Sequence, residues 1–177
     1  MVSPDLSVVE LFYHETGGFK GTITNQDVLI NYSRSNTLKV LQLTGADIKA
    51  ALELCAAVFA VNDCGEIDYS FNVNPHIIHP YAYDFWGGLD YELSIDQPIG
   101  QRVTKLIFQG QPITDDMTLN VAMNSYRATG AEFPMFQHKR VVFESEDIIP
   151  EMIRKYIKQH SPIRCYKHGH FQVICTK

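Results

Sequence analysis

A chain of 177 residues with 45% hydrophobic side chains suits one domain, or two small lobes sharing a core, and is long enough to fold without staples. Its net charge of -5 leaves no basic face to neutralise a phosphate backbone, which excludes nucleic acid as a partner. No run approaches the roughly 20 apolar residues of a membrane span, and the N-terminus lacks the basic segment and apolar stretch of a signal peptide, so the chain reads as soluble.

In chain order, Leu6 to Tyr13 reads as a strand and Thr16 to Gly21 as a glycine-bearing loop. Thr24 or Asn25 caps a short helix, and Leu38 to Leu43 alternates as a half-buried strand does. Thr44-Gly-Ala-Asp47 has capping-box spacing, so a helix is expected from about Gly45 to Val61, with Ile48, Leu52, Cys55 and Phe59 on one apolar stripe. Asn62 to Pro80 breaks any period and reads as a long loop. Leu89 to Ile95, Val103 to Phe108 and Thr118 to Met123 are expected to form an antiparallel meander. A short strand at Val141 to Phe143 precedes a second amphipathic helix, Ile148 to Gln159, with Pro150 in its first turn, and Phe171 to Cys175 is a late strand that could close an edge.

Among residues that carry chemistry, the histidine pairs His76/His79 and His168/His170 each supply only two ligands, which favours solvated loop histidines over a metal site. Cys55, Cys64, Cys165 and Cys175 lack CxxC spacing and sit in or beside apolar runs, which favours buried thiols; a bridge between Cys165 and Cys175, and the compartment, stay open. No nucleophile elbow, zinc-protease helix or P-loop is present, and no set of Asp, His and Asn ligands for a two-metal site can be assembled. The chain alone therefore reads as lacking catalysis. Tyr83 to Tyr91 (YDFWGGLDY) and Asn124-Ser-Tyr-Arg-Ala-Thr-Gly130, followed by Glu132-Phe-Pro134, combine rings, glycines and polar groups as a loop meeting a flat ligand does. Phe85 and Trp86 are better read as core packing, Tyr126 as a ligand-facing ring.

These segments, with Gly21-Thr-Ile-Thr24, Asn36-Thr-Leu38 and Leu43-Thr-Gly-Ala-Asp47, occur in the order found in the C-terminal domains of 5'-nucleotidases. The chain resembles that family from about Asp5 to Ser161, and within it the bacterial 2',3'-cyclic-nucleotide 2'-phosphodiesterase/3'-nucleotidases. The resemblance implies an α+β fold in which a mixed, largely antiparallel sheet packs against two main amphipathic helices, with residues 1–177 as a single substrate-binding domain. It implies a nucleoside or nucleotide ligand and, in a longer chain, an N-terminal metallophosphatase domain. Divalent metals are expected only in that catalytic domain, none in this chain. Relatives of this kind are exported, which sets the family expectation against the lack of a signal peptide here.

In the family two aromatic rings sandwich the base. Tyr126 matches the second ring, and Asn124 belongs to the same motif. Arg34 stands where the first ring is expected, a position from which a guanidinium plane can also stack, with Tyr32 two residues away. The acidic residue that meets the ribose hydroxyls falls at Glu132, and Lys20 stands in the region that contributes a phosphate-binding arginine elsewhere. The departures at Arg34, at His14 to Lys20 and after Gly130 leave two readings open: the nucleoside-binding domain of a phosphoesterase, or a diverged, non-catalytic module of the same fold.

Overall fold

The computed structural model describes residues 3–10, 17–70, 83–165 and 169–176. The mixed α+β architecture expected from the sequence is observed. One five-stranded sheet has the order β10-β2-β9-β1-β5, where β1 is Leu6–Glu10, β2 Thr37–Thr44, β5 Asp84–Gly87, β9 Thr118–Asn124 and β10 Arg140–Ile148. Its pairings are antiparallel except β1 with β9, which run parallel. A second sheet orders β11 (Phe171–Ile174), β6 (Asp90–Ser94), β7 (Val103–Phe108) and β8 (Gln111–Pro112), with β11 parallel to β6 along its edge. Strands β3 (Phe59–Val61) and β4 (Ile67–Tyr69) form a separate hairpin.

Helix α2 (Gly45–Ala56) starts where its capping box dictates. The Thr44 hydroxyl accepts the Asp47 N–H at 3.2 Å, and the Asp47 carboxylate accepts the Thr44 N–H at 2.9 Å. Lys139 donates to that carboxylate at 2.7 Å, tying the segment before β10 to the helix start. Ile48, Ala51, Leu52 and Cys55, spaced three and four apart, are fully buried. They meet Leu41, Leu43, Val121 and Met123 of the first sheet and Tyr91 and Leu93 of the second in one apolar cluster. Helix α1 (Asn25–Asn31) is capped by Thr24 in the same reciprocal way.

Four expectations change. Helix α2 ends at Ala56, not near Val61: Phe59 leaves the helical stripe for β3, because Phe-Ala-Val is strand-forming and the Asn62–Gly65 turn folds it back on β4. The described part of the predicted long loop, residues 62–70, is therefore a hairpin; residues 71–80, and with them His76 and His79, lie outside the described residues, as does His168. Strand β9 does not continue the meander of β6, β7 and β8 but crosses into the first sheet between β2 and β1. Cys64 and Cys165 are exposed, and only Cys55 is fully buried; all four thiols are free.

Trp86 and Phe85 do join the core, as expected. Helix α3 (Ile149–His160) begins with Pro150 in its first turn, yet only Pro150 is buried and Tyr156 is 55% exposed. No helix among the described residues is long and apolar enough to cross a membrane.

Candidate functional site

Strand β9 ends at Asn124, and the chain turns through Tyr126 into a 3-10 turn at Arg127–Thr129 that Gly130 closes with φ of 86°. This left-handed position suits glycine. Glu132 also takes a left-handed φ, 59°, which costs a residue with a Cβ about 1 kcal/mol or more. Arg127 repays that strain. Its Nη1 donates to a Glu132 carboxylate oxygen at 2.6 Å and to the Ala131 carbonyl at 2.9 Å.

The same guanidinium reaches two more carboxylates. Nη2 donates to Glu10 at 2.8 Å and to Asp84 at 3.0 Å, and Nε lies 3.0 Å from the other Asp84 oxygen. The Arg127 carbon Cζ stands 4.4 Å from the Phe133 ring centre, so the cation is stacked as well as bonded. Arg127 is 1% and Asp84 0% exposed, whereas the Glu10 side chain is 10% and the Glu132 side chain 33% exposed. Glu10 and Asp84 face each other across β1 and β5, a like-charged cross-strand pair that is tolerable only with a cation between them.

Burial pushes the Asp84 carboxyl up to about 7 despite Arg127, and burial raises Glu10 too. Asp84 and Glu10, two of the three carboxylates on this buried cation, therefore hold a proton more readily than free carboxylates do.

Of the residues expected from the sequence, Tyr126 is 49% exposed, with its hydroxyl donating to Glu132 at 3.3 Å. The Glu132 charge pushes that hydroxyl's pKa up. Asn124 is buried, and its side-chain oxygen accepts the Arg127 backbone N–H at 2.8 Å. Tyr32 is buried at the end of α1, and burial pushes its phenol up to about 12. Arg34 is exposed, and its charge acts on Glu10. Glu10 is thus the common neighbour: its carboxyl feels the charges of Arg34 and Glu132, and its own charge acts on Tyr32 and Tyr126. Lys20 is exposed, and its charge is not among those acting on Glu10.

Glu10, Asp84 and Arg127 were not singled out as site residues from the sequence. Asp84 and Arg127 sit inside the two motifs quoted above, and an aspartate between Tyr83 and Phe85 is itself a signal, since a charge in an apolar run needs a buried partner. Glu10 ends an ordinary strand and carries no such mark. The convergence of three carboxylates is not a metal cage, because the guanidinium occupies its centre; among the described residues no three His, Cys, Asp or Glu side chains are arranged to hold a metal. Two clefts lie elsewhere, one of about 660 Å³ beside Arg102 and Cys175 and one of about 280 Å³ between α1 and α3.

The fold and the motif residues define a domain of the 5'-nucleotidase C-terminal type. The model of the family "5'-nucleotidase, C-terminal domain" matches residues 2–138, and the chain belongs to that family. It is similar to the 2',3'-cyclic-nucleotide 2'-phosphodiesterase/3'-nucleotidase of Yersinia enterocolitica, 28% identical over 85% of this chain and 24% of the relative. The enzyme of the same name from Haemophilus influenzae is 29% identical over 80% of this chain and 23% of its own length. A Staphylococcus aureus protein assigned as a 5'-nucleotidase, solved with alpha-ketoglutarate, superposes with a TM-score of 0.87 at 29% identity, covering 96% of this chain and 33% of that one. The chain spans about a quarter of the length of the curated relatives it matches.

Proposed function

We propose that residues 1–177 form one nucleoside-binding domain that positions a nucleotide for a phosphoester hydrolase of the 2',3'-cyclic-nucleotide 2'-phosphodiesterase/3'-nucleotidase type. The observation that carries this reading is the half-exposed Tyr126 ring beside a Glu132 carboxylate held by the buried Arg127. A flat base stacked on Tyr126 would gain roughly 1–3 kcal/mol and would be tolerated whatever its identity. Arg34 supplies a second planar face, and Glu132, with one oxygen fixed by Arg127, accepts from the ribose hydroxyls. Lys20 offers a point charge for phosphate.

Hydrolysis belongs to a metallophosphatase domain that would hold the divalent metals, and this chain contributes binding and orientation. Buried Arg127 and Asp84 set the geometry and exclude water from beneath the ligand.

Calorimetric titration with adenosine and 3'-AMP tests the proposal. Saturable binding that Tyr126→Ala weakens by about five- to 150-fold is expected, from the loss of about 1–3 kcal/mol of stacking. A folded chain that binds neither ligand up to millimolar concentration would instead favour a diverged, non-catalytic module.

A further inference from the structure

Away from the Tyr126 cluster, Arg102 carries a charge that its surroundings do not balance. It is 8% exposed, just before β7, and main-chain carbonyls meet two of its three guanidinium nitrogens. Nε donates to Gln97 at 3.0 Å, and Nη1 donates to Ala56 at 2.9 Å and to Phe59 at 2.8 Å. Those bonds have a structural use, because Ala56 lies in the last turn of α2, whose carbonyls lack helical partners. They account for Nε and Nη1 only. Nη2 has no acceptor among the described residues and is open to solvent.

Carbonyls solvate a guanidinium without neutralising it, and no carboxylate among the described residues forms a salt bridge with Arg102. Glu53, whose charge acts on Arg102, turns its two oxygens to the backbone N–H groups of Arg102 and Val103, at 3.0 and 2.8 Å. Burial accordingly lowers the Arg102 pKa, although the Glu53 charge opposes it.

Arg102 lines the cleft of about 660 Å³, a size that takes a small molecule. Val61, Ile95, Pro98 and Cys175 give it apolar walls. Asp96 lines it too, and its oxygens accept from the Ser94 and Thr176 hydroxyls at 2.6 and 2.7 Å. One open cationic nitrogen in a cleft that also holds a carboxylate suits a single negative charge; a phosphate dianion calls for several donors. The walls suit a hydrocarbon body.

We propose that this cleft binds a small monocarboxylate, its carboxylate on Arg102 Nη2 and its apolar body against Val61, Ile95 and Pro98. Tyr126, Arg34 and Glu132 do not line the cleft, so the inference stands apart from the nucleoside-binding reading.

Calorimetric titration of the whole chain with hexanoate, hexanamide, acetate and inorganic phosphate tests it. Hexanoate should bind saturably, about tenfold more tightly than hexanamide, the size of a charge-assisted hydrogen bond, and at least about tenfold more tightly than acetate, which lacks the chain to bury. Gln97 is exposed on the cleft rim and bonds Arg102 through its main-chain carbonyl, so its side chain can be exchanged without touching that bond. Gln97→Glu should weaken hexanoate several-fold and Gln97→Lys should tighten it, with hexanamide unchanged in both. In Arg102→Gln, hexanoate should bind no more tightly than hexanamide; because this variant also gives up bonds that cap α2, the Gln97 pair carries the test independently. Hexanoate should slow alkylation of Cys175 by iodoacetamide, read by peptide mass spectrometry, and leave Cys165, which is exposed and does not line the cleft, unprotected.

If Arg102 only caps α2, hexanoate and hexanamide will bind alike or not at all, which overturns the proposal. Acetate or phosphate binding as tightly as hexanoate overturns it as well, since the site would then take any anion. Tyr126→Ala should bind hexanoate as wild type does; a loss there would move the ligand to the nucleoside site and overturn the assignment of this cleft.

Discussion

Replacing Arg127 by lysine keeps the charge and removes the fork. Among the described residues the guanidinium donates to Glu10, Asp84, Glu132 and the Ala131 carbonyl at 2.6–3.0 Å, and its Nε lies 3.0 Å from the other Asp84 oxygen. An ammonium has three donors on a single nitrogen and cannot serve Glu10, Asp84 and Glu132, which come from three separate segments, at once. At least one and more often two charge-assisted hydrogen bonds are lost at about 1.5–3 kcal/mol each, and the stack on Phe133 adds roughly 0.5–1 kcal/mol. Arg127→Lys should therefore cost about 2–7 kcal/mol, a large share of the 5–15 kcal/mol typical of a domain. Urea unfolding followed by the fluorescence of Trp86, the single tryptophan and a buried one two residues from Asp84, reads this directly. The measurement belongs near pH 8, above the value of about 7 to which burial raises Asp84. A variant within 1 kcal/mol of wild type would refute the view that the fork organises the site.

The same cluster predicts a pH dependence of definite sign. Asp84 is raised from 3.8 to about 7 by burial, so between those values the folded state keeps a proton that the unfolded chain has released. Its contribution to stability is full below about pH 4 and is lost as pH rises through about 7, and Glu10, also raised by burial, adds to the slope. Three pK units correspond to at most about 4 kcal/mol. Urea midpoints of wild type should fall from pH 5 to pH 8, and Asp84→Asn should flatten the trend; a flat wild-type profile would contradict the burial argument. Gly45→Ala should destabilise despite alanine's helix propensity, which favours it by about 1 kcal/mol. A Cβ there would lie 2.0 Å from the Thr114 carbonyl oxygen and 2.6 Å from Ile113 Cγ2, and such overpacking against backbone costs about 3 kcal/mol by thermal or urea unfolding.

What could be read from the chain beforehand follows the range of the forces involved. The start of α2 was legible because Thr44 and Asp47 bond each other three residues apart, and the Ile48, Leu52 and Cys55 stripe because a single helix face defines it. The end of α2 was not, since Phe59 keeps the helical interval while its pairing with Tyr69, ten residues on, decides the outcome. Strand β9 shows the same limit. Its alternation identifies a strand, but its place between β2 and β1 depends on registers such as Val40 with Ala122 and Leu6 with Val121, which no local pattern contains.

The candidate site divides along that line too. Tyr126, Asn124 and Glu132 lie within nine residues of one another, so a single motif revealed them together. Glu10, Asp84 and Arg127 are brought together by the pairing of β1 with β5 and with β9, across up to 117 residues of chain. Burying Arg127 and Asp84 demands that each find its partner, because an unpaired charge in that core would cost several kcal/mol. The pairing that closes the first sheet is therefore also what holds Glu132 in its left-handed conformation beside Tyr126. If so, a perturbation of β1, remote in sequence from the motif, should weaken a ligand bound at Tyr126 before it unfolds the domain.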